Sequence, residues 1–377
     1  MAESLAPSEG SPEEDKSSSL EFQQAKEEGL LEQARRSREE PEKYDAFGRE
    51  RIGPVELEGV YRSGTIAEKI NHRLEHGQSP LVLFSDIDNT FYHRELPKEA
   101  DRLTQILEEN HWGLVFATGN EADILSRRPE LPKADIVVGA VGTDIAVRQR
   151  DGSYMRDEEY QRLLGENWDR PQIIKESRAI IAENPHIMFQ DKTNPDQNPE
   201  VKEPFKVSFW VRGDISDADA ELEKFRARLG PNVQISAVID INVPERYNID
   251  ILPKNAGKAF AVRYLVNKLG IFGPVAGDSE NDIDMLTESS QPAILVGNAS
   301  QRTRESVLLA TRGEKAASFG TEVQKLPTGA KITIGRKGTE DAARGLVSIL
   351  EKGDINPEDA RWFVSSLYRL SKKEGEK

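Results

Sequence analysis

The 377-residue chain contains no cysteine. That removes disulfide staples, thiolate metal sites and cysteine nucleophiles together. It fits a reducing compartment, and a cytoplasmic location is expected. No apolar run approaches the roughly 20 residues that a membrane-spanning helix needs, so no membrane association is expected. Aromatic residues make up 7% of the chain and apolar residues 37%, so a sizeable core has to be concentrated in one part of it. Basic blocks are missing as well. The net charge is −15 and the pI about 5.1; without a basic face, no nucleic-acid partner is expected. The same acidity opposes long-range steering of an anionic substrate. A phosphate site here must rely on a local metal and local cations. The opening residues, MAESLAPSEG, show no basic segment followed by an apolar run, so no signal peptide is expected.

What is present is unevenly distributed. Residues 1–20 are rich in Ser, Pro and Glu and cannot bury enough apolar surface to offset ordering entropy. Residues 21–40 have helix-forming composition but little apolar stripe. Residues 1–55 therefore read as a disordered or partly helical N-terminal extension, a candidate surface for a protein partner. From residue 80 the text changes. Continuous apolar runs at 81–84, 113–117, 136–138, 274–276 and 293–296 suit strands buried on both faces. Helical text lies between several of them, as at 98–110 and 256–269. Strand–helix alternation argues for an α/β, doubly wound, Rossmann-like core. The stretch from 150 to 248 differs. Helical text at 171–182 and 217–229 interleaves there with strand text at 187–190, 205–211, 233–238 and 247–252, the pattern of an inserted α+β module. The expected organisation is core at 56–149, insert at 150–248, core again at 249–352, and a tail at 353–377 with a helix over 357–372. The length suits such a two-part globular enzyme with tails.

Four polar clusters follow this framework. The first is Asp86-Ile87-Asp88-Asn89-Thr90, directly after an apolar strand. Two carboxylates at i and i+2 serve one site if the chain turns out of the sheet there, one attacking phosphorus and the other handling protons. They also offer hard oxygen ligands to Mg²⁺. A solvated turn explains the same text. The second is Thr118-Gly119-Asn120 at the end of another apolar run. Its hydroxyl and backbone N–H groups can hold phosphate oxygens, and Thr118 can equally cap the following helix. The third is Lys258, close to a helix start, where a cation is electrostatically unfavourable and an anion nearby would explain it. The fourth is Gly277-Asp278-Ser279-Glu280-Asn281-Asp282 after the run at 274–276, clustered carboxylates suited to Mg²⁺. In an open α/β sheet such strand ends border one ligand crevice.

These four motifs resemble the haloacid dehalogenase (HAD) superfamily, in the subgroup with a C2-type cap between the second and third motifs. Further phrases are similar to sucrose-phosphate phosphatases: Phe84-Ser85-Asp86-Ile87-Asp88-Asn89-Thr90, Val141-Gly142-Thr143-Asp144-Ile145, Trp168-Asp169-Arg170, Lys206-Val207-Ser208-Phe209, Asp250-Ile251-Leu252-Pro253 with Ala256-Gly257-Lys258, and Gly297-Asn298-Ala299. The resemblance covers about residues 80–350. It implies a Mg²⁺-dependent phosphatase acting on a sugar phosphate such as sucrose 6-phosphate or a related phosphorylated glycoside. In that reading Asp86 is the nucleophile and Asp88 the acid and base. Thr118 and Lys258 neutralise the transferring phosphoryl oxygens. Asp86, the backbone carbonyl of Asp88, Asp278 and Asp282 serve the metal. Asn89, Thr90, Gly119, Asn120, Ser279 and Asn281 support the phosphate pocket, and Lys206 and Ser208 reach the sugar from the cap. Two positions depart from the pattern. Asn120 stands where relatives carry arginine, and Ala259 where they carry glycine. A phosphosugar mutase of the same superfamily and a scaffold module for a sugar-phosphate synthase are the competing readings.

Overall fold

The fold is that of a computed structural model, which describes residues 57–310, apart from 79, 93, 95–96, 191–202, 214–217, 240–242, 244, 290, 292 and 297–298, together with strands at 322–325 and 331–334. The N-terminal extension, the helix expected over 357–372 and residues 297–298 lie outside the described residues.

In chain order the elements are α1 (Thr65–Glu75), β1 (Val82–Ser85), α2 (Pro97–Glu109), β2 (Gly113–Ala117), α3 (Ile124–Arg127), β3 (Ile136–Gly139), β4 (Asp144–Arg148), β5 (Tyr154–Arg156) and α4 (Glu158–Gly165). There follow α5 (Arg170–Glu183), β6 (Ile187–Phe189), β7 (Val207–Arg212), α6 (Ala218–Leu229), β8 (Val233–Ile239) and β9 (Arg246–Pro253). The described chain closes with α7 (Lys258–Leu269), β10 (Val275–Gly277), α8 (Ile283–Glu288), β11 (Ala293–Leu295), α9 (Gln301–Ala310), β12 (Glu322–Lys325) and β13 (Lys331–Ile334).

Nine strands form one sheet in the order β12-β13-β11-β10-β1-β2-β3-β4-β5. The six from β13 to β3 run parallel, and β12, β4 and β5 add antiparallel edges. Parallel strands need helices on both faces, and every residue of β1, β2 and β3 is buried. α1 shows how a face is covered: Ile66, Ala67, Ile70 and Arg73 fall on one side of it and are buried. From β1 the chain moves outward through β2 and β3. It returns on the other side through β10 and β11. The switch point therefore lies between β1 and β10, where an open α/β sheet opens its crevice.

A second sheet, β6-β7-β9-β8, is wholly antiparallel. The period of two along β7 buries Val207, Phe209 and Val211. With Ile173, Ile180, Leu222 and Phe225 of α5 and α6 they form a separate core. Phe209 is fully buried and its neighbour Trp210 is not. Two boundaries run differently from the expected text. β9 belongs to this sheet through Pro253, past residue 248, because Val233 pairs with Pro253 and Val207 with Ile251. β5, beyond residue 150, is the edge strand of the nine-stranded sheet.

Candidate active site

The C-terminal end of β1 delivers Asp86 into the crevice. Its N–H donates to the Ala276 carbonyl at 2.9 Å, so β10 holds it in strand register while its side chain leaves the sheet. The chain then turns back at once. Phe91 and Tyr92 N–H groups donate to the Ile87 carbonyl at 3.1 and 2.8 Å. Asn89 takes a left-handed φ of 59°, a conformation that asparagine tolerates better than most residues. Phe91 packs edge-on against Phe116 of β2, with centroids 5.0 Å apart.

β10 delivers the acidic cluster. Ser279 and Asp282 cap a short 3₁₀ turn over Glu280–Asp282 reciprocally. One Asp282 oxygen accepts from the Asp278 and Ser279 N–H groups and from the Ser279 hydroxyl, at 3.2, 3.1 and 3.0 Å. The other accepts from Lys258 Nζ at 2.6 Å. Both oxygens of this fully buried carboxylate are thus engaged. Asp278 is held from across the crevice by the Thr90 hydroxyl, 2.9 Å away.

Lys258 is the first residue of α7 and is fully buried. Its Nζ donates to Asp86 Oδ1 at 2.7 Å, to Asp282 Oδ1 at 2.6 Å and to Asn281 Oδ1 at 2.9 Å. These acceptors explain why a cation sits at a helix start. Burial works against its charge, but Asp282 and Asp86 outweigh burial and hold its pKa above the ordinary lysine value. At Asp86 burial prevails. Lys258 pulls the other way and Asp282 adds to burial, leaving the Asp86 carboxyl raised to about 7. Burial, then Asp86 and Asp282, push Asp278 well above its ordinary value.

The carboxylates of Asp86, Asp278 and Asp282 present oxygens all within 4.8 Å of one another. One lysine stands among three carboxylates; burial is the main reason the Asp86 and Asp278 pKa values are raised, and the neighbouring carboxylates add to it. A hard divalent cation with oxygen ligands fits such a donor set. Asp86 and Asp278 are the donors with freedom to bind it, since Asp282 is committed to Lys258 and to its own turn. The Asp88 side chain lies outside this cluster: its carboxylate is ion-paired with Arg128.

β2 brings Thr118, which is buried. Its hydroxyl accepts from Asn120 N–H and Nδ2 at 3.1 and 3.3 Å, closing the turn after the strand. Gly119 borders Asn281: a Cβ there would stand 3.4 Å from the Asn281 amide nitrogen. Behind these residues the loop after β3 carries three successive left-handed residues, Ala140, Val141 and Gly142. Gly142 lies so close to Gly257 and Lys258 that a Cβ would stand 2.2 Å from the Gly257 carbonyl carbon. Strain in a β-branched residue such as Val141 marks a loop that the surrounding structure over-determines.

The second sheet meets the site at one edge. Lys206, just before β7, is buried and reaches the Gly119 carbonyl at 3.4 Å; its Nζ also lies 3.7 Å from Asp250 and 4.0 Å from Glu203. Ser208 donates to Asp250 across the β7–β9 pair. Its hydroxyl is therefore used within the sheet. Trp168 donates to the Pro204 carbonyl at 2.8 Å and packs on the second core, and Asp169 caps α5. The sequence reading singled out neither Arg128 nor the role of Asp250 as partner of Ser208 and Lys206. Arg128 stands in ordinary charged text, and nothing local marks it.

A family model described as Sucrose-6F-phosphate phosphohydrolase matches residues 79–320, well over half of the chain. Sucrose-phosphatase 1 of Nicotiana tabacum is 29% identical over 238 residues, which cover 59% of this chain and 51% of that protein. Mannosylfructose-phosphate phosphatase of Agrobacterium fabrum is 28% identical over 196 residues, 49% of this chain and 69% of that one. The chain spans about half the length of the plant relatives it matches. Among solved structures, the sucrose-phosphatase of Synechocystis, determined in complex with sucrose and phosphate, is similar at a TM-score of 0.53 and 21% identity. The match covers 74% of this chain and 99% of that one and concerns the fold.

Proposed function

Because the chain belongs to the sucrose-6F-phosphate phosphohydrolase family, we propose that it hydrolyses the phosphate ester of a sugar phosphate, sucrose 6-phosphate or a related phosphorylated glycoside. The observation that carries the proposal is the buried Asp86–Lys258–Asp282 cluster at the switch point, with a second carboxylate, Asp88, two residues beyond the first. In this reading an Asp86 oxygen attacks phosphorus, the bond from phosphorus to the sugar oxygen breaks, and Asp88 gives its proton to the departing oxygen. Water then attacks the aspartyl-phosphate. Asp88 takes the water's proton, and inorganic phosphate leaves with Asp86 restored.

Positioning and charge neutralisation are the main demands of phosphoryl transfer. Lys258, fixed by three hydrogen bonds, supplies a cation whose place does not change during the reaction. In this reading the Thr118 hydroxyl, which keeps its own proton to donate, and the Gly119 N–H face the transferring oxygens, the Asn120 N–H being used within the turn. Asp86 and Asp278 would hold Mg²⁺, with Asp282 behind them, and the ion supplies the charge that lets a carboxylate approach an anionic phosphate. Lys206, at the edge of the second sheet and hydrogen-bonded to Gly119, is the residue that joins sugar recognition to the phosphate site. The names of the relatives, phosphatases of sucrose phosphate and mannosylfructose phosphate, point to a phosphorylated disaccharide.

The experiment is phosphate release from a panel of sugar phosphates, including sucrose 6-phosphate, with and without Mg²⁺, beside Asp86→Asn. Metal-dependent release that disappears in the variant is expected. Rearrangement of a phosphosugar without phosphate release would replace the proposal by a mutase.

A further inference from the structure

We propose that Arg128 is the positioning residue for Asp88, holding its carboxylate over the crevice by clamping both ends of the turn that follows Asp86. The inference rests on the reading of Asp88 as the proton-handling group. Asp88 needs such a partner. Its side chain is 50% exposed and it stands in a tight turn closed by backbone bonds to the Ile87 carbonyl. Among the described residues, Arg128 is the only side chain bonded to its carboxylate, through Nη1 and Oδ1.

Arg128 is built to stay put. Its Nε donates to Glu130 at 2.7 Å. The guanidinium carbon lies 5.3 Å from the centroid of the Tyr92 ring, within the range of a cation–π contact. Asp88 and Tyr92 are bridge partners across the turn, so one guanidinium touches both of its ends. Its side chain is only 21% exposed, whereas that of the neighbouring Arg127 is 51% exposed and pairs with Glu121 and Asp123 away from this turn. A partly exposed ion pair contributes little to fold stability. Its consequence here is the rotamer of Asp88, which otherwise samples several staggered wells. The position directly after Thr118-Gly119 is Asn120, which brings no cation, so Arg128 is the guanidinium that this segment turns toward the Asp86 loop.

The test uses the full chain with Arg128→Gln, Arg128→Lys and Arg127→Gln. Arg128→Gln is expected to lower kcat for the preferred sugar phosphate roughly 10- to 100-fold while KM stays within about threefold. Arg128→Lys recovers part of the loss, because it restores the charge without the fork. Arg127→Gln behaves as wild type. In an Asp88→Asn background Arg128→Gln costs nothing further. An equal loss in both backgrounds, or a rise in KM alone, would overturn the proposal in favour of direct substrate contact. Hydrogen exchange of the amides of residues 86–92 provides a reading independent of turnover. It should quicken in Arg128→Gln and not in Arg127→Gln, and unchanged exchange would equally overturn the clamp. A wild-type protein that releases no phosphate while Arg128→Gln still loosens the turn would sink the proposed function and leave the clamp standing.

Discussion

Lys258 and Asp86 show how a few buried charges set the behaviour of the crevice. The lysine is fully buried and has three oxygen acceptors within 2.9 Å. Removing one partner of such a pair leaves the other charge buried and uncompensated. Lys258→Gln should therefore abolish turnover and also destabilise the fold, by about 3–5 kcal/mol, measured by denaturant unfolding. Asp86 behaves in the opposite sense. Its pKa in the folded protein is raised, to about 7 from an ordinary 3.8. Its ionisation therefore erodes stability as pH rises from near 4 through 7. In the metal-free protein at neutral pH, Asp86→Asn should raise Tm even as it removes activity, and saturating Mg²⁺ should stabilise the wild type and not the variant. A lower Tm for the metal-free variant would mean that Lys258 outweighs burial.

At the scale of elements, three histidines join the ends of α1 and α2. His72 of α1 stacks on His76, with centroids 4.3 Å apart, and on His111, with centroids 3.5 Å apart. His111 follows α2 with a left-handed φ of 51°. Desolvation, then His111 and His76, lower the His72 pKa from its ordinary 6.5, against Glu75, which raises it. A depressed histidine is neutral in the fold and takes its proton more readily when unfolded. The stack's stability is thus present above pH 6.5 and lost as pH falls below it. His72→Asn should flatten the decline in Tm between pH 7 and pH 5; an unchanged slope would place the acid sensitivity elsewhere. Elements also differ in how far they can be read from the chain. β1, β2, β3, β10 and β11 are continuous apolar runs because both faces of a parallel strand are covered. β4 and β5 escape that reading because an antiparallel edge hairpin mixes Asp144, Arg148 and Arg156 with its apolar residues. α1 escapes because only Ile66, Ala67 and Ile70 mark its buried face amid charged text.

For the whole molecule, the site is an assembly of segments far apart in sequence. The four clusters are legible because each stands at the end of an apolar run or the start of a helix, where the topology brings strand ends to one edge. The Arg128–Asp88 pair and the approach of Gly142 to Gly257 depend on how loops from different strands fold over one another, and no local pattern records them. The joint between the two sheets is of the same kind. Lys206 reads locally as a polar residue within strand text, and only the family resemblance gives it a role; its ammonium reaches the Gly119 carbonyl in the turn after β2. Lys206→Ala should raise KM for the sugar phosphate by about tenfold, the scale of one lost charged hydrogen bond, with a smaller change in kcat. A fall in kcat alone would assign Lys206 to the chemistry rather than to recognition.

The most direct test of the account is to locate the phosphoryl group during turnover. The full chain is mixed briefly with Mg²⁺ and the preferred sugar phosphate, quenched in acid and digested, and the peptides are weighed. A phosphoryl group on Asp86, absent after hydroxylamine treatment and absent from Asp86→Asn, is the predicted result. A phosphoryl group on another residue, or turnover by Asp86→Asn at the wild-type rate, would contradict it.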